Sequence, residues 1–544
     1  MSYPPSQAPP SQPPPASAAA DLRPSRVRGT LVASSLAVFV AQVANALPGS
    51  LNGVFQESFA TVGSQLTWIT AAFMIPVVVF ELTFGLLGDK LGHRKLVAGG
   101  TVLVFFGSLV CSLAPTVQMM WVGSALNGLG AGAMFPASLA LVAAVTTTPR
   151  ERAKAIAMWA GFLSAGAAVS PLLGGIFAGL GSWRGSYGVV AGLAVITCLI
   201  TLKVAAEARV LSDRRLDLWG QITFALGLIL VLFGAVQGPE EGWASSRVLF
   251  AFIAGGILLA AFIVIELRVE HPLLQLSLFR NRAFTVSSIV AVVGMFAFLG
   301  CCFAASMWLG PVQHQKPTST GLIFLLIQGP AFILIPVISR LMGRVAARWL
   351  LTAGLGLMGL GALLASRLEV TDLSLTPFVL PMLLVGIGFA LTLSPMTAIA
   401  LNTVPRHLAG MASATTNLLR DLGFALGPVL VGAVALSAAG SKLGASLQAA
   451  TFPADQAGAI NGIFEAGGPI ALNSLPPEAP GFAAQSLALE ALGQGFSQAF
   501  LLCAVAAFAA ALLTLVGLHG VADGHAGPDE TADSLRKEEP ARGR

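Results

Sequence analysis

Gly85-Leu86-Leu87-Gly88-Asp89-Lys90-Leu91-Gly92-His93-Arg94-Lys95 joins two long apolar segments, near 66–88 and 96–114. One acid, turn-forming glycines and a basic cluster are packed between two stretches that are each about as long as a bilayer is thick. Glycine permits the close approach and tight turn such a junction needs. The stretch therefore reads as a short polar loop between two membrane helices.

The rest of the chain agrees. Of its 544 residues, 55% are hydrophobic and 10% charged, against about 25% charged in a soluble domain. Crossing hydrocarbon takes ~20 mostly apolar residues. Fourteen segments qualify, near 30–50, 66–88, 96–114, 119–144, 155–180, 186–206, 218–236, 247–267, 284–310, 321–343, 349–366, 376–401, 409–437 and 496–519. They are too long and too continuously apolar for barrel strands, so they read as helices that satisfy their own backbone.

Lys and Arg set the expected orientation. With the N-terminus inside, 20 of them fall in the inner segments, including Lys90, Arg94, Lys95, Arg152, Lys154, Arg280 and Arg344. Five fall outside: Arg184, Arg247, Lys316, Arg367 and Lys442. This asymmetry places both termini in the cytoplasm of a multi-pass plasma-membrane protein. The net charge of +5 then reflects topology and not nucleic-acid binding. The five cysteines lie inside apolar segments with neither metal nor disulfide spacing, as small hydrophobes do. No cofactor is expected, and the chain is expected to work as a monomer.

The expected organisation is a disordered tail over 1–28, a six-span bundle over 29–209, two linker spans over 210–270, a second six-span bundle over 271–520 and a polar tail over 521–544. The second bundle carries a long outer loop at 438–495, rich in Ala, Gly and Pro. Pro336 to Arg344 reads as a degraded copy of Gly85 to His93, with Gly343 matching Gly92 and Arg340 standing where Asp89 does. Such a copy is what a duplicated transporter leaves behind.

The spacing Gly85-x-Leu-x-Asp89-x-x-Gly92-x-Arg94-Lys95 resembles the loop between spans 2 and 3 of the major facilitator superfamily. In span 5, Gly166-x-x-x-Ser170-Pro171-x-x-Gly174-Gly175 resembles the signature of that superfamily's antiporters, with Ser170 where glycine is usual. Trp68, Ser182-Trp183-Arg184, Gly238-Pro239-Glu240-Glu241-Gly242-Trp243 and Leu278-Phe279-Arg280-Asn281-Arg282 resemble its fourteen-span drug:proton antiporter branch. The resemblance implies an all-α polytopic fold of two six-helix bundles plus two central spans. It also implies export of small molecules by alternating access, driven by protons. It gives a gating role to Gly85, Asp89, Gly92 and Arg94, with an Arg94–Asp89 pair across the turn, and to Gly166, Ser170, Pro171, Gly174 and Gly175. Pro171 allows a kink, and the small residues allow close helix approach.

Two departures concern charge. Where the branch carries Arg-x-x-Gln-Gly-x-Gly in span 4, this chain has Ser124-Ala-Leu-Asn127-Gly128-Leu-Gly130. Where it carries an Asp before Ala46-Leu47-Pro48 in span 1, Phe39 stands. Charge in mid-membrane costs ~2.5–3.5 kcal/mol on insertion scales, so the charges that are present are candidates for function. They are Glu81 in span 2 and Arg420 and Asp421 in span 13. Spans 2 and 13 meet between the bundles in the family, so an alternating Glu81–Arg420 pair is expected to carry protons; the other reading is a fixed structural ion pair.

Gln42, Asn45, Asn127, Gln328 and Asn417 either line the pathway or bridge helices, and Trp159 and Trp308 either stack on a ligand or pack. A mostly apolar cavity suits a hydrophobic, neutral or monocationic drug-like molecule or metabolite. A phosphate loop of the form Gly-x-x-x-x-Gly-Lys-[Ser/Thr] is absent, which argues against ATP-driven transport. A metabolite exporter, uptake carrier or facilitator with weak or no coupling is the nearest alternative. The scattered histidines and the lack of a nucleophile elbow or large soluble domain weigh against an enzyme or a sensor.

Overall fold

A computed structural model describes residues 24–146, 148–207, 217–269, 272–342, 344–402, 404 and 409–520. Fourteen helices in it are long and apolar enough to cross a membrane. They are span 1 (Pro24–Ser50), span 2 (Gln65–Leu91), span 3 (His93–Leu113), span 4 (Val117–Ala144), span 5 (Lys154–Gly179), span 6 (Arg184–Val204) and span 7 (Leu218–Glu241). Span 8 (Ser246–Glu266), span 9 (Arg282–Val312), span 10 (Pro317–Ile338), span 11 (Ala347–Ala365), span 12 (Thr376–Ala400), span 13 (Ala414–Ala449) and span 14 (Phe482–Gly517) follow.

Local chemistry sets the helix ends. Thr148 and Glu151 form a reciprocal capping box. Asp217 caps span 7 through the Gly220 N–H at 2.9 Å, and Ser245 caps span 8 through the Val248 N–H at 3.3 Å. Each cap satisfies a backbone donor that the helix leaves unpaired. Span 2 stops at Gly92, whose φ of 104° lies where side chains are disfavoured.

The packing repeats with an offset of eight spans. In the first half, span 3 packs on spans 4 and 6, span 4 on span 2, and span 1 on spans 4, 5 and 6. In the second half, span 11 packs on spans 12 and 14, span 12 on span 10, and span 9 on spans 12, 13 and 14. The halves meet along two seams that the same offset relates, span 5 on span 10 and span 2 on span 13. Span 7 lies against both span 2 and span 13, and span 8 packs chiefly on span 7.

Two expected boundaries shift. The segment 438–495 is largely helical. One helix runs unbroken over Ala409–Ala449, a helical stretch broken by a kink at Gly468 covers Ala454–Asn473, and the last helix begins at Gln485. Alanine, read as loop composition, is the best helix former, and Leu443, Ile460, Leu472, Ala484, Ala488 and Ala491 bury against one another. The first helix already covers 24–28, inside the expected tail 1–28. Residues 1–23, the tail 521–544 and Gly343 lie outside the described residues.

Candidate functional site

The seams are shut at the end of the molecule remote from Asp89. There the backbones of Gly53 and Gly310 touch, so that a Cβ on either would collide with the other. Asn52 Nδ2 donates to Ser306 Oγ at 2.9 Å, Thr67 lies against Gly432, and Gly175 lies against Pro317 and Thr318. Small residues on both sides let the helix backbones approach this closely. Toward the Asp89 end the contacts give out. A Cβ on Gly161 in span 5 or on Gly85 in span 2 would meet nothing within 4 Å. The close contacts between the halves thus lie at the end remote from Asp89, and Gly85 and Gly161 make none.

Glu81 sits one turn before Gly85, at the edge of the closed region. Its side chain is buried, as is that of Asp421 from span 13, and the two carboxyls lie within hydrogen-bonding reach of each other across the seam. Arg420 Nε donates to Asp421 Oδ1 at 3.0 Å. The expected Glu81–Arg420 pair is therefore corrected: Arg420 closes on its own neighbour, which costs no approach of separate helices. Glu81 faces Asp421 instead, and its Oε2 is buried without a partner. Arg420 thus pairs with Asp421, and Glu81 has no ion-pair partner among the described residues.

The Gly85–Lys95 loop also pairs differently from the expected Arg94–Asp89 contact. Asp89 Oδ1 pairs with His93 Nε2 at 3.0 Å, four residues on. Arg94 does not reach Asp89; its guanidinium donates to the Leu202 carbonyl at the end of span 6. Gly92 carries the tight turn, whereas Gly85 has open space around it in this structure.

In span 5, Gly166 packs against the span 1 backbone at Phe39 and against Gln42. Ser170 Oγ donates to the Val43 carbonyl at 2.7 Å, and Gly174 packs against Ser50. Pro171 and Gly175 face the other way, onto Gly321, Pro317 and Thr318 of span 10. The motif thus grips span 1 with one face and the opposite half with the other.

The polar candidates divide. Asn127 is buried and accepts from Ser108 Oγ at 3.0 Å, so it bridges spans 3 and 4 and leaves the pathway set. Trp159 Nε1 donates to Ser138 Oγ at 2.9 Å. Trp308 is fully buried against Phe378 and Phe500. Both tryptophans pack rather than face an open pathway. Gln42, Asn45 and Asn417 are half-buried and Gln328 is more deeply set; none of the four makes a side-chain hydrogen bond among the described residues.

Comparison with known proteins decides the lineage. The Major Facilitator Superfamily description matches residues 34–428. The chain belongs to the major facilitator superfamily. It is similar to multidrug resistance protein Stp of Mycobacterium tuberculosis, 31% identical over 410 residues that cover 74% of this chain and 75% of that one. It is also similar to drug efflux pump JefA of the same species, 30% identical and covering 77% and 82%. The tetracenomycin C resistance and export protein of Streptomyces glaucescens is 26% identical, covering 76% of each. Among solved structures, a bacterial homolog to the human lysosomal transporter Spinster, in an inward-facing conformation, superposes with a TM-score of 0.59 at 17% identity, covering 91% of this chain and 99% of that one. At that identity the likeness concerns the fold.

For a major facilitator transporter, the seams just described are where the two halves must part. Two features of them were not foreseen from the sequence. One is the short helix Asn52–Phe59, whose Gln56 bonds to Thr61 and, at 3.2 Å, to Ser474 of the opposite half. The other is the set of polar bonds from span 7 to span 2, taken up below. Both depend on tertiary contact and leave no local signal.

Proposed function

We propose that this major facilitator transporter exports hydrophobic, neutral or monocationic small molecules across the plasma membrane by alternating access, with proton antiport through Glu81 and Asp421. The observation that carries the reading is the meeting of two buried carboxyls, one from each half, at the level where the closed seam begins to open. Separation of the halves breaks that contact, and with it the shared proton. Proton binding and seam state are then linked without any further part. Arg420 balances the second charge from the same helix. Motion toward the other state would shut the seam around Gly85 and release the contacts at Gly53–Gly310 and Gly175–Pro317.

The basic loops face the cytoplasm in this reading, as the Lys and Arg asymmetry requires. The relatives support the substrate class, since they include drug-resistance and export proteins. The half-buried Gln42, Asn45, Asn417 and the deeper Gln328 offer unspent hydrogen-bonding capacity in an otherwise apolar wall. The energy suffices: one proton moving down ~100 mV supplies ~2.3 kcal/mol, enough for a gradient of about 50-fold in a neutral substrate at 1.36 kcal/mol per decade. Ethidium efflux from cells expressing the protein, with and without a protonophore, tests the reading. Expression-dependent efflux that stops with the protonophore is expected. Efflux at an unchanged rate after collapse of the proton gradient would leave an uncoupled carrier instead.

A further inference from the structure

We propose that Gln221 of span 7 is a positioning residue for the Glu81–Asp421 pair, an inference that rests on the coupling role given to that pair above. Gln221 Nε2 donates to the Val79 carbonyl and its Oε1 accepts from the Thr83 hydroxyl. Val79 and Thr83 stand two residues to either side of Glu81. At 100° per residue they lie on the face of span 2 turned away from it. One helical turn is thus held from behind by span 7 while its carboxyl meets Asp421 of span 13 in front.

The clamp is part of a longer splint. Toward the other end of span 2, Gln237 Oε1 accepts from Ser64 Oγ at 3.1 Å and from Trp68 Nε1 at 3.3 Å. The Ser64 N–H donates to Glu240. To span 13, by contrast, the described residues show one polar contact from this region, and it comes from just beyond the end of span 7: Trp243 Nε1 donates to Ser437 Oγ at 3.1 Å, at the closed end. Span 7 packs on both spans 2 and 13, but its side-chain hydrogen bonds go to span 2, which gives the extra pair of spans a task beyond linking two bundles. A glutamine facing lipid-depth backbone is held to such partners because the alternative is an unsatisfied amide in hydrocarbon.

The consequence is electrostatic. The affinity of a carboxyl pair for one proton depends steeply on the separation of the two groups. Of the elements packed on span 2, span 13 brings charge to Glu81, as Asp421 and Arg420. Span 4 carries no charged residue, span 7 carries Glu240 and Glu241 at its remote end, and span 3 carries its His93, Arg94 and Lys95 beyond Asp89. The turn that sets the Glu81–Asp421 distance is then the turn that sets the coupling pH.

The test is the pH midpoint of ethidium efflux in Gln221→Leu, Thr83→Val, Thr83→Ser and Glu81→Gln. Gln221→Leu is expected to move the midpoint by about 0.5–1 unit, taking ~1 kcal/mol for the interhelical bonds against 1.36 kcal/mol per unit. Thr83→Val should move it less, and Thr83→Ser, which keeps the hydroxyl, should restore the wild-type value. Tetraphenylphosphonium affinity at high pH should stay within about twofold in Gln221→Leu, Thr83→Val and Thr83→Ser. If Glu81→Gln shifts the profile while Gln221→Leu and Thr83→Val leave it in place, the positioning role is wrong and the coupling reading stands. If Glu81→Gln itself leaves the profile unmoved, the coupling reading fails and the role of Gln221 falls with it. Should Gln221→Leu not fold, the Thr83 pair decides.

Discussion

Gly175→Val should pry open the closed end of the transporter. A Cβ at Gly175 would stand 2.9 Å from the Pro317 carbonyl oxygen and 3.2 Å from Thr318 Cα. Both are backbone atoms at the start of span 10, so neither can swing aside as a side-chain tip could. Valine adds two methyl groups beyond that Cβ. Overpacking of this kind costs ~1–3 kcal/mol. In the state where the halves have separated at this end, span 5 no longer meets span 10 and the cost disappears. The closed form should therefore lose a factor of about 5 to 150 relative to the open form, at 1.36 kcal/mol per decade. Gly175→Ala should give a smaller shift in the same direction. The assay is pulsed electron–electron distance measurement between spin labels at Ser182→Cys and Lys316→Cys, both exposed at the closed end. The wild type should show a dominant short distance, and Gly175→Val a population moved to longer ones with reduced turnover. A folded Gly175→Val protein with the wild-type distance distribution would refute the reasoning, because it would mean that the span 5–span 10 contact does not set the state.

Gly92→Ala should lower the denaturation midpoint of the purified protein, since alanine at a φ of 104° carries strain of ~1–3 kcal/mol and its Cβ would also crowd Glu207; an unchanged midpoint would show that the turn relaxes. Asn127→Ala should cost ~1–3 kcal/mol in stability by leaving the buried Ser108 hydroxyl without its acceptor, yet leave tetraphenylphosphonium affinity unchanged. A tenfold loss of affinity would return Asn127 to the substrate pathway.

The sequence was most legible where one residue type answers to one physical demand. Long apolar runs have one use in a chain of this composition, and all fourteen appear as helices. Gly92 stood where a turn between two spans needed a glycine, and it carries positive φ. Partner choice was far less legible. Arg94 and Asp89 lie near each other in sequence and carry opposite charges, but the ends of spans 2, 3 and 6 converge so that His93 and the Leu202 carbonyl are better placed. Arg420 was matched to Glu81 across the seam, although an acid stood beside it on its own helix. The helices in 438–495 were hidden by alanine, which is common in loops and helices alike. The work of span 7 was hidden altogether, because Gln221 shows its use only when span 2 is packed behind it.

One exchangeable proton held between the halves by Glu81 and Asp421 is the proposed basis of coupling. Proton release on binding tests it most directly. Tetraphenylphosphonium is added to purified protein in weakly buffered detergent solution, and the pH change is recorded from alkaline to acidic starting points. Release of up to about one proton per ligand bound is expected in the wild type, following the two carboxyls as a coupled pair. Release should vanish in Glu81→Gln and in Asp421→Asn while binding persists. Equal proton release by the wild type and by the Glu81→Gln Asp421→Asn double variant would contradict it.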